Sequence, residues 1–527
     1  MQSKQANRFR SIVGPVIRGL TWREERRAVG VHGAQWFIAG VVGLILGLAL
    51  LGAVSLPGYR ALALLSALLF FTIAVMTGNA QRFLLAVIVM EIPLQLDSYL
   101  FYREKAAALG ALGGLNISVT TACLMILYAW WLSRSLLGVT PPPWASILKD
   151  LPFIVYLATV ALSVVVARDV MLTGFEIFLV FQAFLLYLYI ARNVRTRGDV
   201  RFLITWLLIG LALQSLIMFA LRITGSSVEI ASVFARIDDG VRVGGTIGSP
   251  NGAASYLTLL LAPAFSLLFS RLEGRYKWLA AGAFCLGGGA LLLTLSRGGW
   301  LAFAVSLMLC YLLLSRRGLL SLRLHFTLLL TVLVLVLLFH NQVASRLVEP
   351  DNGSAYSRIP LMRLTWRIIE DHPLLGVGAN NFAVVLRQYV TPDFSREWLY
   401  TVHNAYLLIW SETGIISLLA FLWMLAVVLR RAWRVWMRRD LLLSPLAAGF
   451  MAALVGQMVH MMVDLFNGRP QVQMLWMIAA LISAMSALEG GDEPESRSAR
   501  SRGLLAQNRS YGSVVGFPGD STIRGDS

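Results

Sequence analysis

Charge is what this sequence lacks. Asp, Glu, Lys and Arg make up only 14% of its 527 residues, where a soluble domain carries about 25%, so a water-soluble enzyme is excluded. Cysteine is scarce as well. Cys123, Cys285 and Cys310 all lie inside apolar runs, and no two have zinc-ligand or redox spacing, so they give no sign of a metal, a thiol chemistry or a compartment. Lysine is nearly missing, with four beside 41 Arg. No A-x-A site follows the first apolar run, which therefore reads as an uncleaved signal anchor. There is no internal repeat, and no soluble domain of its own beyond one long loop.

What is there is hydrocarbon. Hydrophobic residues reach 57% and the mean hydropathy is +0.70. That is about 300 apolar residues, and at about 20 per crossing they fill a dozen or more helices. The expected fold is an all-α polytopic membrane protein with about 12–14 transmembrane helices. The runs fall at 33–54, 61–77, 83–97, 115–133, 151–167, 171–190, 202–221, 251–270, 278–295, 299–315, 324–340, 404–429, 442–463 and 471–488. The third is the weakest, because Glu91 and Pro93 interrupt it, and a re-entrant segment is its alternative.

The net charge of +17 does not point to nucleic acid, because the basic residues sit between apolar runs where topology and anionic headgroups account for them. Seven of them precede the first span, which puts that end in the cytoplasm. With this orientation the cytoplasmic segments before the tail hold 25 Arg or Lys and the short external loops hold nine. Residues 1–32 are then a cytoplasmic basic N-terminus, 33–340 carry helices 1–11, 341–403 form a long external loop, 404–488 carry helices 12–14, and 489–527 are a disordered cytoplasmic tail.

The long loop reads as structured. Ser357 fits an N-cap, Pro360 a first helical turn, and Leu361, Leu364 and Ile368 one apolar face. Asp371-His372-Pro373 ends that pattern, Gly376 and Gly378 turn the chain, and 379–389 reads as a second short amphipathic helix. Such helices lie in the interface or roof a cavity.

Charges near hydrocarbon are costly and so act as pointers. The external or boundary set is Arg242, Arg297, His403, Glu412 and Asp464, with His340 and His372 flanking the loop. Arg242 precedes a glycine-rich stretch and Pro250-Asn251, which opens a helix. Backbone donors, a helix N-terminus and an Arg together make an anion site, though the glycines alone fit a tight turn. Arg297, in Leu-Ser-Arg-Gly-Gly-Trp, suits either a snorkelling position or a phosphate partner. His403 has the ordinary pKa for a proton acceptor, yet a His at an interface also serves as a passive anchor. Glu412 lies nine residues further on, about 13.5 Å along a helix, so it does not orient His403 and fits a structural hydrogen bond near Gly414.

Four motifs in order carry a resemblance. Arg242-Val-Gly-Gly-Thr-Ile-Gly-Ser-Pro-Asn251, Leu295-Ser-Arg-Gly-Gly299, His372-Pro-Leu-Leu-Gly-Val-Gly-Ala-Asn-Asn-Phe382 and His403-Asn-Ala-Tyr-Leu407 with Glu412-Thr-Gly414 resemble the O-antigen ligase / polysaccharide polymerase superfamily over roughly 230–465. The resemblance implies a C-type membrane glycosyltransferase, inverting and metal-independent. It implies a bacterial inner-membrane location, the long loop and active site on the periplasmic face, and an undecaprenyl-pyrophosphate-linked glycan as donor. Arg242 and Arg297 then match the pyrophosphate-binding arginines and His403 the histidine acting on the acceptor hydroxyl. Asn251, Ser296, Asn404, Tyr406, Trp398 and Tyr400 are the substrate-binding candidates; for the aromatic ones, sugar stacking and an interfacial belt both stand.

No cofactor is expected and no metal. The first external loop lacks carboxylates, and Asp238-Asp239 reads as a solvated turn. The acceptor stays open between another glycan, lipid A core and a protein Ser, with polymerase or ligase of a surface polysaccharide preferred. A lipid-linked oligosaccharide flippase is the rival class, weakened by the missing repeat.

Overall fold

The structure, a computed structural model, describes Thr72 and residues 78–230, 233–238, 240–320, 358–390 and 399–488. The expected spans 33–54 and 324–340, nearly all of 61–77, the basic N-terminus, the tail after 488, His340, Asp239 and Trp398 lie outside the described residues. Each remaining expected span falls on a helix: α1 (Ala80–Leu94), α2 (Val119–Leu136), α3 (Leu151–Leu162), α4 (Val170–Asn193), α5 (Arg197–Thr224), α6 (Pro250–Leu267), α7 (Gly274–Leu293), α8 (Arg297–Arg316), then α10 (Ala405–Met437), α11 (Leu443–His460) and α12 (Arg469–Ala487). Eight helices among the described residues are long and apolar enough to cross a membrane. The chain is an all-α polytopic membrane protein.

Two small sheets depart from a purely helical picture. Strands β1 (Asp97–Leu100) and β2 (Leu115–Ser118) form an antiparallel pair, and β3 (Val228–Ile230), β4 (Val233–Asp238) and β5 (Arg242–Gly245) a three-stranded one. They occupy links between helices, where backbone groups released from helical bonding pair with one another. The turns into the helices are capped locally. Thr196 Oγ1 accepts from Asp199 N–H while the Asp199 carboxylate accepts from Thr196 N–H, which closes a capping box at the start of α5.

Glu91 does not break its helix. It is 2% exposed, and its carboxylate meets the Arg469 guanidinium at 2.9 Å, joining α1 to α12. Arg469 also donates to Asp97 at 3.1 Å and to Gln473 at 3.2 Å. Removing one partner from such a buried pair costs about 3–5 kcal/mol, because the other charge is left without compensation. A second buried network closes the opposite end of the bundle. There Arg431 donates to Tyr187 and Ser483 at 2.7 Å each, and Arg192 and Tyr187 both donate to Asp150.

The bundle centres on α6, whose side chains are buried along almost its whole length, together with α11 and α12. Small residues make this possible, since backbones meet where side chains are missing. A β-carbon on Gly449 of α11 would stand 2.7 Å from Pro263 Cα of α6, one on Gly456 2.6 Å from the Ala302 carbonyl of α8, and one on Gly299 of α8 2.5 Å from Ala254 Cβ of α6. The helices α6, α8 and α11 are therefore locked backbone to backbone. Asn251, Arg297 and His460 stand at their ends.

Between α8 and α10 the chain forms α9 (Arg358–Asp371) and a short helix at Phe382–Val385. Leu361, Leu364 and Ile368 are buried with Val377, Phe382, Val385, Leu386, Val402 and Leu408, each contributing about 1.5–3 kcal/mol by leaving water. This small core is anchored through a break in α10. Gly414 has φ +80°, and the open gap accepts the turn 373–378. Val377 N–H donates to Ser411 O, Gly378 N–H to Glu412 O and Ile415 N–H to Pro373 O, at 2.8–3.0 Å. The Glu412 side chain accepts from Phe382 N–H at 2.9 Å.

Candidate active site

One cavity of about 50 Å³ opens where the ends of α6, α8 and α11 meet α9. Its lining includes Arg242, Asn251, Arg297, Arg358, His460 and Asp464. Arg242 is delivered by β5, paired with β4 through the Asp238–Arg242 register. The glycines after it fold the chain tightly: a β-carbon on Gly244 would lie 2.1 Å from the Gly248 carbonyl oxygen. They make the turn, and the side chains make the pocket. From β5 the Arg242 guanidinium reaches across to α6, donating from Nη2 to Asn251 Oδ1 at 2.9 Å and from Nε to the Thr294 carbonyl at 3.3 Å. Asn251 Nδ2 is 3.5 Å from Asp464 Oδ1.

Arg297 is the first residue of α8. The turn from α7 into α8 is abrupt, with Leu295 in the left-handed region at φ +51°. Ser296 caps the new helix, its hydroxyl accepting from Gly299 N–H at 3.3 Å. The guanidinium thus stands at a helix N-terminus, where the backbone dipole also favours an anion. Arg358, the first described residue of α9, donates from Nη1 to the Val463 carbonyl at 3.0 Å. That bond ties the intervening segment to the end of α11.

His403 arrives through a clip. Ala405 N–H donates to Met461 O at 2.8 Å, Asn404 Nδ2 to Met462 O at 3.0 Å and the Tyr406 hydroxyl to Met458 O at 2.9 Å. Asn404 also caps α10, its Oδ1 accepting from the Tyr406 and Leu407 N–H groups. These bonds fasten 403–406 beside the end of α11, next to His460 and Asp464. Burial holds the His403 pKa below its ordinary value; the Asp464 carboxylate partly opposes this and the Arg358 guanidinium adds to it. His403 is therefore kept neutral, the state in which an imidazole accepts a proton. Tyr400 lies tilted against it, ring centres 5.6 Å apart.

Of the residues expected from sequence, Arg242, Asn251, Ser296 and Arg297 meet at the cavity; His403 and Tyr400 are not among its lining residues, but both feel the charge of Asp464, which is. The polar groups of Asn404 and Tyr406 are engaged within the protein, in the cap and the clip. Trp398 lies outside the described residues. Asp238 pairs with Arg236. Sequence reasoning passed over Arg358 and His460. Arg358 gives no local signal beyond opening a helix, whereas His460 stands four residues before Asp464, a spacing that could have drawn attention to it. Among the described residues no three His, Cys, Asp or Glu side chains gather as a metal site.

Fold and site together define a polytopic membrane protein with a cationic pocket at one end of its helix bundle. Residues 281–422 match the family model described as O-Antigen ligase, the family that the motifs resemble. The matched stretch includes Arg297, Arg358 and His403, while Arg242, His460 and Asp464 lie outside it. No curated protein matches the chain. The family supports glycan transfer in surface polysaccharide biosynthesis, by a membrane glycosyltransferase-type enzyme acting on a lipid-linked glycan and an acceptor.

Proposed function

We propose that the protein transfers or polymerises glycan from an undecaprenyl-pyrophosphate-linked donor at the periplasmic face of the bacterial inner membrane, by inverting, metal-independent displacement. The observation that carries this reading is the convergence of Arg242, Arg297 and Arg358 on one cavity. Guanidiniums bind phosphate oxygens in a planar fork, and charge that develops on a leaving pyrophosphate is stabilised by such preset donors.

The step is a single displacement. An acceptor hydroxyl attacks the anomeric carbon while the bond from that carbon to the pyrophosphate oxygen breaks. The electron pair leaves on the pyrophosphate, toward the guanidiniums. The hydroxyl proton passes to neutral His403, acting as general base. Another glycan chain or lipid A core is the preferred acceptor over a protein Ser.

Labelled lipid-linked donor with the purified protein in vesicles tests this. A transferase consumes the donor only when acceptor is added, and does so in the presence of a chelator. Movement of intact donor across the bilayer would instead identify a flippase, and turnover that stops with chelator and returns with a divalent ion would remove the arginine-based mechanism.

A further inference from the structure

His460 occupies the last position of α11, is 0% exposed, and lines the same cavity as the arginines. Among the described residues neither of its ring nitrogens has a hydrogen-bond partner. The closest carboxylate oxygen, Asp464 Oδ2, is 4.0 Å from Nε2, beyond hydrogen-bond reach. A buried imidazole with both nitrogens unmet is a cost to folding, and an apolar side chain would fill the space without it. The ring nevertheless lines the cavity. Gly298, in the first turn of α8, packs against the ring: a β-carbon there would lie 2.8 Å from Val463 Cγ2, 3.4 Å from His460 Cδ2 and 3.5 Å from Nε2. His460 thus lines the cavity with Gly298, Arg297 and Val463, both its ring nitrogens buried.

We propose that His460 is a donor-side binding residue, whose Nε2–H hydrogen-bonds a phosphate oxygen of the diphosphate held by the three arginines. The inference rests on the pyrophosphate reading of this pocket and names a residue that the motifs do not contain. Charge supports it. Three guanidiniums and one carboxylate face the cavity, a net of two positive charges opposite the two negative charges of a diphosphate diester. When the sugar leaves, the diphosphate gains a further negative charge. A neutral N–H strengthens its bond to that oxygen without overcharging the pocket beforehand. His403 and His460 then divide the work across Asp464, one at the acceptor and one at the leaving group.

The test uses the purified full chain and inorganic pyrophosphate as probe, with sulfate as control, reading affinity and thermal stability together. His460→Leu is expected to weaken pyrophosphate binding about tenfold or more while leaving the unfolding temperature unchanged or higher, since it removes an unmet buried group. His460→Gln, whose amide N–H reaches about as far as Nε2, should stay within about threefold of the parent. Gly298→Ala keeps the His460 side chain but pushes its methyl against Val463 and the imidazole edge, so it should reproduce the loss, and should add little in the His460→Leu background. Parental affinity in His460→Leu, or full additivity of the two changes, overturns the assignment; if Arg297→Lys still binds weakly, the pyrophosphate reading stands without it. A parent protein that does not bind pyrophosphate removes both.

Discussion

Arg297→Lys is the sharpest test of the pocket because it keeps the charge and removes only the fork. Arg297 starts α8 behind its Ser296 cap, so its backbone is fixed and the substitution changes only what the side chain presents. A hydrogen bond to a charged group contributes about 1.5–3 kcal/mol. The Arg297 side chain is partly exposed, so solvent screening places the loss in the lower half of that range, about 1.5–2 kcal/mol. At about 1.4 kcal/mol per factor of ten, donor affinity should fall about ten- to thirtyfold. Arg242→Ala should weaken the same step, and the double variant should be less than additive because both guanidiniums face one cavity. Equilibrium binding of lipid-linked donor to the detergent-purified chain measures this, with expression and unfolding temperature as controls. An Arg297→Lys protein that binds donor as tightly as its parent, or strictly additive losses, would show that the two arginines do not hold one pyrophosphate.

His403→Ala should lower turnover about a hundredfold or more with donor binding largely kept; near-normal transfer by a stably inserted variant would reduce His403 to an anchor. Because burial lowers the His403 pKa, the base in the free protein stays neutral to lower pH than a free imidazole, so the acid limb of kcat/KM in the parent should lie below pH about 6.5, and a limb above that value would contradict the burial argument. Gly414→Ala sets a β-carbon 1.9 Å from the Leu374 carbonyl oxygen at a left-handed position, and should release 373–378 from α10, seen as faster proteolysis of the 358–390 segment with loss of transfer. An impermeant thiol reagent on spheroplasts should label Ser226→Cys and spare Arg195→Cys, which stand at opposite ends of α5; the reverse pattern inverts the proposed face.

Most of the helix positions were legible because each apolar run is long enough to identify itself and short enough to separate from the next. The helix at 358–371 was legible for a different reason, its apolar residues recurring at i, i+3 and i+7. The small sheets were not, since three- to six-residue strands in links leave no period to read. Arg242 and Arg297 were paired in the sequence only through the family resemblance; in the structure Arg242 reaches from β5 to Asn251 at the start of α6, and α6 meets α8 through glycine contacts that no local pattern announces. His460 was hidden by its surroundings. It sits at the end of a buried helix, in a run that reads as hydrocarbon, and its significance comes from Gly298, over 150 residues earlier. Glu412 showed its structural role through the neighbouring Gly414, but the turn it grips lies more than thirty residues before it.

The break in α10 also sets an order of assembly. The turn at 373–378 leaves the ribosome before α10 exists, yet it is held by backbone bonds to Ser411, Glu412 and Ile415. His403 is held by carbonyls at 458–462, and the cavity closes only when His460 and Asp464 arrive. During synthesis the arginines therefore wait in the membrane without their acid, their second histidine or the clip. On the function proposed above, a chain that stops short of α11 lacks the carboxylate, the second histidine and the clip, and so has no assembled centre with which to cleave a phosphorylated donor.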